Sequence, residues 1–473
     1  MTPIFGKGVV FDAPLPRMNR QLSMIMPQLR DRMMRTYPAA ITEEVTRMLR
    51  SWGDEGEIDL LAFTKELTIY TSTRCLIGEE FRAGITDEFF ALYKDLEGGV
   101  HPLAYFLPNL PIPRFRRRDE ARKKLQNIIA SMMQARARNP DPPRDGLQML
   151  IESTYEDGSR LTPNELTGIL IALILAGHHT SAGTTVWCLV ELLRNPEFLA
   201  PVVDEIDELL FDDAAIDYPQ IRQMTGLGAV IKEVLRLHPP LIFLFRKVLR
   251  DFEFGGYTVT PGKFICASPA VSHRVAESFP DPARFNPERY AQESQNNPFA
   301  WIGFGGGKHK CTGSAFGVLQ LKSIVASLLR EYEFELVREP GDYRDDYKKP
   351  TVLPESPCLL RYRRRDRSKL VRPTAHTGEN APLPIVTSEL RVIVDRHLCQ
   401  GHAVCVSEAP EVFAVGDDSV AEVVLDTKNS AVRRTGKDIR FYPPTELNQQ
   451  VILAAKYCPN HAIRIEEAAE EEA

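Results

Sequence analysis

In Phe304-Gly305-Gly306-Gly307-Lys308-His309-Lys310-Cys311-Thr312-Gly313, a glycine-rich loop ends at a single cysteine, and a segment with helical periodicity follows it. Glycine lacks a Cβ atom, so such a loop can bend closely around a bound group. We predict a helix from about Ser314 to Arg330, whose first N–H groups and positive dipole end face the Cys311 sulfur. This environment favours the thiolate form, which is the form that binds metals. Cys311 is therefore a candidate metal ligand.

The same ten residues match the haem-binding loop of the cytochromes P450, F-G-x-G-x-x-x-C-x-G, at every fixed position. The alternative is an ordinary buried cysteine after a glycine-rich turn, but two further motifs occur in the family's order. They are Glu233-Val-Leu-Arg236, which matches E-x-x-R, and Phe285-Asn-Pro-Glu-Arg289, which matches F-x-P-x-R. The resemblance implies a mainly α-helical cytochrome P450 fold with small β-sheets. It also implies a haem b bound through the Cys311 thiolate, which favours O–O bond cleavage.

The resemblance assigns further residues to the haem. His309 and Arg246 match the family's cationic partners of the haem propionates, and an ordinary surface cation is the alternative for each. Phe304 and Gly305 belong to the loop that contacts the haem.

The E-x-x-R pair is expected to be structural. A Glu–Arg pair at this spacing is common on exposed helices, but the neighbours of this pair are apolar. We therefore expect Glu233, Arg236 and Arg289 to form a buried network that holds the loop around Cys311, and none of them to be catalytic.

A second group of candidate residues lies in a helix predicted from Thr162-Pro163 to about Leu193, which contains Ala176-Gly-His178-His179-Thr180-Ser181. In the family, Ala-Gly leaves room for oxygen, and the threonine donates a hydrogen bond to bound dioxygen. Most members have an acid before that threonine, whereas this chain has His179, which can relay protons near neutral pH. Thr180 and His179 are thus the candidate catalytic residues, and packing in the core is the alternative for His179.

The His-Thr-Ser variant resembles the sterol 14α-demethylase branch of the family, and so does Pro3–Asp12, which matches P-x-F-G-x-x-V-x-F-D. The resemblance covers nearly all of residues 1–365. It implies O2-dependent removal of the 14α-methyl group of a sterol. An apolar substrate pocket would be lined by Phe5, Phe11, Ala176, His178 and Leu241, for which plain core packing is the alternative.

The chain begins inside this recognition loop, so we expect either a truncated product or a start codon assigned too late. Family members have further elements before this loop. The position of a propionate-binding arginine in the next helix holds Met18, for which Arg17 or Arg20 is a candidate substitute.

A second constellation is Cys399-Gln-Gly-His402-Ala-Val-Cys405, with Cys458-Pro459 later in the chain. Bacterial ferredoxins bind clusters through C-x₂-C-x₂-C and a distant C-P. His402 replaces the middle cysteine, and the remaining three thiolates suit a 3Fe–4S cluster. The alternatives are a 4Fe–4S cluster with His402 as fourth ligand, or three unrelated cysteines. The region resembles the small ferredoxins that serve bacterial cytochromes P450, and a small α+β domain is expected.

Composition supports a division into two domains. From Val386 onward the chain holds 15 acidic and 9 basic residues, so this part carries the whole net charge of −6. We predict a haem domain at 1–367, a linker at 368–385 and a ferredoxin domain at 386–473. The charge gives no basic surface of the kind that binds nucleic acids. The sparse cysteines suggest a cytoplasmic, bacterial protein, and no transmembrane anchor is expected.

These observations predict a haem-thiolate monooxygenase that is linked to its own electron donor. No flavin or nicotinamide motif is visible, so a separate NAD(P)H-dependent ferredoxin reductase is expected as a partner. Two alternatives remain. One is a related oxygenase that acts on another terpenoid or steroid, and the other is a non-catalytic haem protein or electron-carrying ferredoxin.

Overall fold

The computed structural model describes residues 2–100, 103–104, 107–212, 215–291, 299–370, 390–416, 420–425, 432–435 and 437–467. Within these ranges, four side chains are not described, those of Phe11, Lys308, Lys369 and Glu467. The predicted pocket side chain of Phe11 and most of the predicted linker therefore lie outside the described part of the chain.

The α-helices, numbered in chain order, are α1 (Thr2–Phe5), α2 (Leu15–Ile25), α3 (Asp31–Met34), α4 (Tyr37–Leu49), α5 (Leu60–Leu76), α6 (Glu79–Ala83), α7 (Asp87–Gly98), α8 (Pro113–Arg138), α9 (Gly146–Glu152), α10 (Pro163–Arg194), α11 (Pro196–Leu209), α12 (Tyr218–Gln223), α13 (Thr225–Leu237), α14 (Pro269–Ser272), α15 (Ser314–Glu331), α16 (Val404–Glu408) and α17 (Asn448–Lys456). Short 3₁₀ turns cover Val10–Asp12, Met26–Leu29, Pro287–Tyr290, Gly307–His309, Pro340–Asp342, Arg367–Lys369 and Thr445–Leu447.

The strands are β1 (Glu55–Asp59), β2 (Leu244–Lys247), β3 (Phe252–Phe254), β4 (Tyr257–Val259), β5 (Phe264–Ala267), β6 (Tyr332–Leu336), β7 (Asp345–Asp346), β8 (Leu353–Pro354), β9 (Leu359–Arg364), β10 (Leu390–Asp395), β11 (Phe413–Val415), β12 (Ala421–Val423), β13 (Arg433–Arg434), β14 (Asp438–Phe441) and β15 (Ile463–Glu467). Up to residue 370, the described helices are more numerous than the strands and mostly longer. The described sheets there are small, as expected for the predicted fold class.

One compact unit comprises Met1–Ala40, Ile69–His178 and Pro382–Ala473. In its helical part, Arg122 of α8 donates hydrogen bonds to the carbonyl oxygens of Ile4 and Phe5, at 3.1 and 3.0 Å. A Cβ atom at Gly168 would lie 1.9 Å from the Phe5 carbonyl oxygen. The absence of a side chain at position 168 therefore lets the N-terminal segment lie directly against α10.

The C-terminal part of this unit is built on a four-stranded antiparallel sheet with the order β13-β14-β10-β15. In the central strand β10, Val392 is opposite Phe441 on one side and Ile465 on the other. The inward residues of β10, including Val392 and Val394, are fully buried against α17 and β11. This arrangement of strands and short helices matches the predicted α+β class.

The other compact unit comprises Ile41–Thr68 and His179–Ala381. Its largest sheet has the antiparallel order β1-β9-β6. Trp52 packs over this sheet, with its ring centroid 4.4 Å from that of Tyr362 and 5.1 Å from that of Tyr332. The helices α13 and α15 pack together, and α15 is buried along most of its length.

The predicted helix boundaries near α10 are correct. The helix starts at Pro163 and ends at Arg194, and Asn195 separates it from α11. At its start, the Glu165 N–H donates to Thr162 Oγ1 at 3.3 Å, and the Thr162 N–H donates to Glu165 Oε2 at 3.0 Å. This reciprocal pair satisfies two helix-end donors, as the capping sequence predicts.

The sequence from Phe252 to Cys266 predicts a hairpin with Gly255-Gly256 as its turn, and this prediction is correct only in its first half. β3 and β4 pair around Gly255-Gly256, whose φ angles of +57° and +80° suit glycine. β5 instead pairs with β2, with Phe245 opposite Cys266. Alternating side chains identify a strand, but the choice of partner depends on contacts distant in sequence.

Helix α10 bears on the expectation that the chain has no transmembrane anchor. By length and composition, this 32-residue helix is long and apolar enough to cross a bilayer. A helix in the core of a protein passes the same test, and 61% of the most apolar window of α10 is buried inside the protein. The criterion is therefore weak evidence for a membrane span.

Candidate functional site

The Cys311 loop is closed by its own backbone. Gly305 and Gly307 have φ angles of +75° and +61°, a region that strains any residue with a Cβ atom. The Cys311 N–H donates to the Phe304 carbonyl oxygen at 2.8 Å, which joins the two ends of the loop. Helix α15 then starts at Ser314, as predicted.

The loop acts on the Cys311 thiol in opposing directions. Cys311 is exposed to solvent. Desolvation of the thiol by the surrounding protein atoms raises its pKa, whereas a hydrogen bond from the Gly313 backbone and the charge of Lys310 lower it. Backbone N–H donors around a sulfur stabilise a bound thiolate. An accessible sulfur on a tight glycine loop beside a helix N-terminus fits an iron-ligating thiolate.

The predicted Glu233 network is present and fully buried. Glu233 and Arg236 are both 0% exposed, and two hydrogen bonds of 2.8 Å join them. Arg289 donates to the same carboxylate at 3.0 Å, and so does the hydroxyl of Tyr290, at 3.0 Å. These donors hold the pKa of Glu233 below its usual value against the opposing effect of burial. The carboxylate is thus fixed in its charged form and positioned as a structural anchor.

The network reaches the Cys311 loop through His273, which the sequence analysis missed. Arg236 donates to the His273 carbonyl oxygen at 3.0 Å, and the His273 imidazole Nε2 accepts the Ile302 N–H at 2.8 Å. Trp301, whose indole donates to the Lys232 carbonyl oxygen at 3.1 Å, stacks on His273. No local motif marks His273 in the sequence, because its partners are 37 and 29 residues away.

The other predicted haem-loop residues lie beside Cys311 in the same unit. Phe304 is half-buried, and its ring meets Trp301 edge-on at 5.9 Å. A Cβ atom at Gly305 would lie 4.0 Å from Leu244 Cδ1, so β2, which also carries Arg246, runs next to the loop. Arg246 is half-buried and donates to the Phe245 carbonyl oxygen at 2.8 Å, and His309 is exposed. Their roles at the propionates stay predictions.

On α10, three of the predicted residues share one face. Ala176, His179 and Thr180 are spaced i, i+3 and i+4, which places them together on a helix. Ala176 is exposed, and His179 and Thr180 are half-buried. His178 points elsewhere: it is 3% exposed, its Nε2 lies 3.8 Å from Glu97 Oε1, and its ring meets Tyr93 edge-on. Its predicted place in a substrate pocket stays a prediction.

The predicted pocket residues Phe5 and Leu241 differ in burial. Phe5 is 4% exposed, and Leu241 is 48% exposed.

The two candidate substitutes for the missing propionate-binding arginine have protein partners. Arg17 Nη2 lies 2.5 Å from Glu165 Oε1, and Arg20 donates twice to the Thr154 carbonyl oxygen.

The three C-terminal cysteines come together at one end of the four-stranded sheet. Backbone N–H groups already point at two of the sulfurs: Ala421 donates to Cys399 Sγ at 3.2 Å and Ala462 to Cys458 Sγ at 3.3 Å. Burial raises the pKa of Cys405 to about 12, and the charges of Cys399 and Cys458 add to this rise. Three thiols held close, with N–H donors to the sulfurs, fit an iron–sulfur cluster.

His402, between these cysteines, is 4% exposed. Its Nδ1 atom lies 3.2 Å from the Leu29 carbonyl oxygen, and its own carbonyl oxygen accepts the Asp31 N–H at 3.0 Å. No local pattern indicates these contacts, because they join residues more than 370 positions apart.

Comparisons with known proteins agree with the motifs of the larger part of the chain. A family model described as cytochrome P450 matches residues 2–361. The sterol 14α-demethylase of Mycobacterium tuberculosis (strain ATCC 25618 / H37Rv) is 47% identical over 372 residues, covering 77% of this chain and 82% of the relative. The lanosterol 14-alpha demethylase of Rattus norvegicus is 36% identical over 372 residues, covering 77% of this chain and 73% of the relative.

Solved structures share the fold. Retinoic acid bound cyanobacterial CYP120A1 aligns with a TM-score of 0.69 at 22% identity, over 76% of this chain and 82% of that one. The haem domain of cytochrome P450DA aligns with a TM-score of 0.69 at 20% identity, over 78% and 82%.

A second family model, described as a 4Fe-4S single cluster domain, matches residues 392–465, which include all three C-terminal cysteines. The chain therefore carries an iron–sulfur type of domain at its C-terminal end. The larger match extends over most of the chain, and its motifs surround Cys311 as described above. The chain belongs to the cytochrome P450 family, and within it is closely related to the sterol 14α-demethylases.

Proposed function

We propose that this protein removes the 14α-methyl group of a sterol by successive oxygenations, with O2 as the oxidant and a haem b bound through Cys311. The identity of 47% with a mycobacterial sterol 14α-demethylase supports the substrate class. The observation that carries the proposal is the shared face of Ala176, His179 and Thr180 on α10, because it combines free space, a proton-relaying imidazole and a hydroxyl donor.

Each residue of that face has a defined task. When bound, the haem supplies the oxygen-activating chemistry, and thiolate ligation favours O–O cleavage. The small side chain of Ala176 would leave room for O2 at the haem. The Thr180 hydroxyl donates a hydrogen bond there, and the His179 imidazole passes protons toward it, since histidine titrates near neutral pH.

The remaining site residues bind and orient. His309 and Arg246 would pair with the haem propionates, and the Phe304-Gly305 turn shapes the loop that carries Cys311. Phe5, Phe11, His178 and Leu241 contribute to the substrate pocket around the sterol.

The C-terminal domain is the electron donor in this proposal. Cys399, Cys405 and Cys458 bind a 3Fe–4S cluster in this proposal, with three thiolates and no fourth protein ligand. The Nδ1 atom of His402 is hydrogen-bonded to the Leu29 carbonyl oxygen. The haem domain covers 1–367, the linker 368–385 and the ferredoxin domain 386–473. Tethering raises the effective concentration of the donor. A separate NAD(P)H-dependent reductase supplies electrons to the cluster, and the protein acts in the bacterial cytoplasm.

The test of the substrate class is an optical titration of the purified holoprotein with lanosterol, followed by product analysis. The reduced protein with carbon monoxide should first show the absorption of a thiolate-bound haem. Lanosterol should then displace the iron-bound water, and turnover with reductase and NAD(P)H should release formate. A normal carbon monoxide spectrum without any response to lanosterol, but with a response to other steroids or terpenoids, would contradict the sterol assignment.

The cluster type has its own test. An oxidised 3Fe–4S cluster is paramagnetic, whereas an oxidised 4Fe–4S cluster of the ferredoxin type is not. Electron paramagnetic resonance of the oxidised protein should therefore show a cluster signal. A spectrum that contains only the signal of the ferric haem, combined with four iron atoms per cluster, would contradict the three-cysteine assignment.

A further inference from the structure

In 4Fe–4S ferredoxin motifs a cysteine stands where this chain has His402, and the contacts of His402 lead to a distant part of the chain. Its Nδ1–H donates to the Leu29 carbonyl oxygen at 3.2 Å. Its carbonyl oxygen accepts the Asp31 N–H at 3.0 Å. One residue thus binds the backbone on both sides of Arg30, through its side chain and its main chain, in a place where only 4% of its surface is exposed.

A charged contact continues this interface. Arg35 Nη2 lies 3.7 Å from Glu408 Oε1, at the end of α16, and Arg35 Nε donates to Asp31 Oδ2 at 2.7 Å. Helices α3 and α16 are in direct contact. We call residues 29–35 the docking segment and residues 402–408 the cluster-side segment.

The docking segment is well suited to hold a partner in one position. Leu29, Asp31 and Met34 are at most 3% exposed, and the Tyr37 hydroxyl donates to the Gln28 carbonyl oxygen at 2.8 Å. The Tyr37–Gln28 hydrogen bond restrains the chain beside this segment independently of His402, and a restrained segment loses less conformational entropy when it is bound.

The free energy needed for docking is small because the two segments belong to one chain. Linking two binding segments in one chain gives an effective concentration on the order of millimolar, so a weak interface remains closed. A buried donor or acceptor that loses its partner costs about 1–3 kcal/mol. The half-exposed pair of Arg35 and Glu408 adds less than the buried bonds of His402.

We propose that His402 is a positioning residue that docks the iron–sulfur domain on the docking segment, and that electrons pass to the haem from this docked arrangement. In each transfer the reduced cluster loses one electron, and the ferric haem that takes it up becomes ferrous. A flavoprotein reductase with NAD(P)H, or dithionite in vitro, reduces the cluster again. The electron-transfer part depends on the proposed function, whereas the docking part does not.

Amide hydrogen exchange of the full-length holoprotein tests the docking directly. In His402→Ala, peptides that cover residues 29–35 should exchange at least tenfold faster than in the wild type. In His402→Asn, whose amide nitrogen can replace Nδ1 as the donor, most of the protection should return. His397→Ala is the matched control, because His397 is an exposed histidine five residues earlier in the same domain. Equal exchange of these peptides in wild type and His402→Ala would overturn the docking.

Cluster content must be measured on the same samples. The proposal expects His402→Ala and His402→Asn to retain the wild-type resonance signal and iron content. A changed cluster signal in both variants would show that the imidazole is an iron ligand, and it would overturn the assignment of His402 to docking.

If His402→Ala does not fold, Arg35→Ala tests the same interface from the other side. It should raise exchange in a peptide covering residues 402–408, by about two- to fivefold for a half-exposed pair. Arg32→Ala, which changes an exposed arginine three residues earlier, is its control. Unchanged exchange at 402–408 in Arg35→Ala would overturn the proposal.

Electron delivery is measured without sterol or turnover. After anaerobic reduction by reductase, haem reduction trapped by carbon monoxide should have a first-order rate that is independent of protein concentration. His402→Ala should slow it at least tenfold, and His397→Ala should not. A normal rate in His402→Ala would overturn the electron-transfer part. Since no substrate is present, this outcome is distinct from a failure of the sterol assignment.

Discussion

The imidazole Nε2 of His273 accepts the backbone N–H of Ile302 at 2.8 Å, while the ring nitrogen Nδ1 lies 3.3 Å from the Arg236 carbonyl oxygen. A single buried side chain therefore connects the Glu233–Arg236 helix to Ile302, which precedes the Cys311 loop. His273 thus links the E-x-x-R motif to the Cys311 loop by hydrogen bonds, although it belongs to neither motif.

This position predicts a pH dependence. Burial lowers the pKa of His273 to about 4, from an ordinary value near 6.5. The unfolded chain thus binds a proton on His273 at a higher pH than the folded chain does. The stabilising effect of neutral His273 is complete above pH ~6.5 and is lost as the pH falls from ~6.5 toward 4, by up to about 3 kcal/mol.

The measurement is chemical unfolding of the full chain at several pH values, for the wild type and for His273→Gln. Glutamine keeps an acceptor for the Ile302 N–H and does not titrate. The free energy of unfolding of the wild type should therefore fall relative to that of His273→Gln as the pH decreases from 6.5 to 4. Parallel curves across this range would show that His273 does not change its charge there.

Replacement of Glu233 by Gln should destabilise the haem domain strongly. The change leaves Arg236 buried without a counter-ion and removes the charged partner of Arg289. Breaking a buried ion pair on one side costs about 3–5 kcal/mol. Glu288→Gln is the control, since Glu288 is exposed, and its effect should stay within about 0.5 kcal/mol. The measurements are chemical unfolding curves and the fraction of protein that retains haem, compared between Glu233→Gln, Glu288→Gln and the wild type.

Glycine is needed at position 305 because of its backbone and not because of space. A Cβ atom there would make only ordinary contacts, the nearest at 3.5 Å to the His309 carbonyl oxygen, but φ is +75°. Gly305→Ala should cost about 1–2 kcal/mol and reduce the fraction of thiolate-bound haem in the carbon monoxide spectrum.

Gly317→Ala is the contrasting change, because Gly317 lies inside α15 and its Cβ would meet Phe304 Cε1 at 3.9 Å. Alanine in a helix interior should stabilise by about 0.5–1 kcal/mol. If both alanine variants bind haem equally well, the left-handed turn at Gly305 is not what holds the loop.

The hydroxyl of Thr180 should govern how efficiently electrons are used. In Thr180→Ala, product formation should fall at least tenfold, and hydrogen peroxide per NAD(P)H consumed should rise, because a positioned proton donor is worth a factor of about 100 or more. Thr180→Ser keeps the hydroxyl and should restore most of the coupling. The assay compares formate, peroxide and NAD(P)H in one reaction. Similar coupling in the alanine and serine variants would contradict the assigned role.

The sequence predicted the elements whose signals are local. The helix Pro163–Arg194 carries its own capping pair, and Ser314–Glu331 follows a glycine-rich loop, so both boundaries could be predicted within one or two residues. The pairing of β5 with β2 could not, because side-chain alternation does not identify a strand's partner.

For the site residues, too, the sequence predicted what depends on local spacing and not what depends on long-range contacts. The i, i+3, i+4 spacing of Ala176, His179 and Thr180 already puts them on one helical face. His178 stands between them in sequence, and only the tertiary structure shows that its ring contacts Glu97 and Tyr93.

The sequence alone determined the chemistry of this protein: a cysteine thiolate in a glycine loop, a hydroxyl beside an imidazole on a long helix, and three cysteines with ferredoxin spacing. These signals depend on residue type and short spacing, which covalent geometry and helical periodicity convert directly into position. Only the tertiary structure decided that His273 joins the Glu233 network to the Cys311 loop, and that His402 binds the backbone at Leu29 and Asp31. Such contacts join residues far apart in the chain, and folding selects them through packing and buried hydrogen bonds that no local pattern encodes.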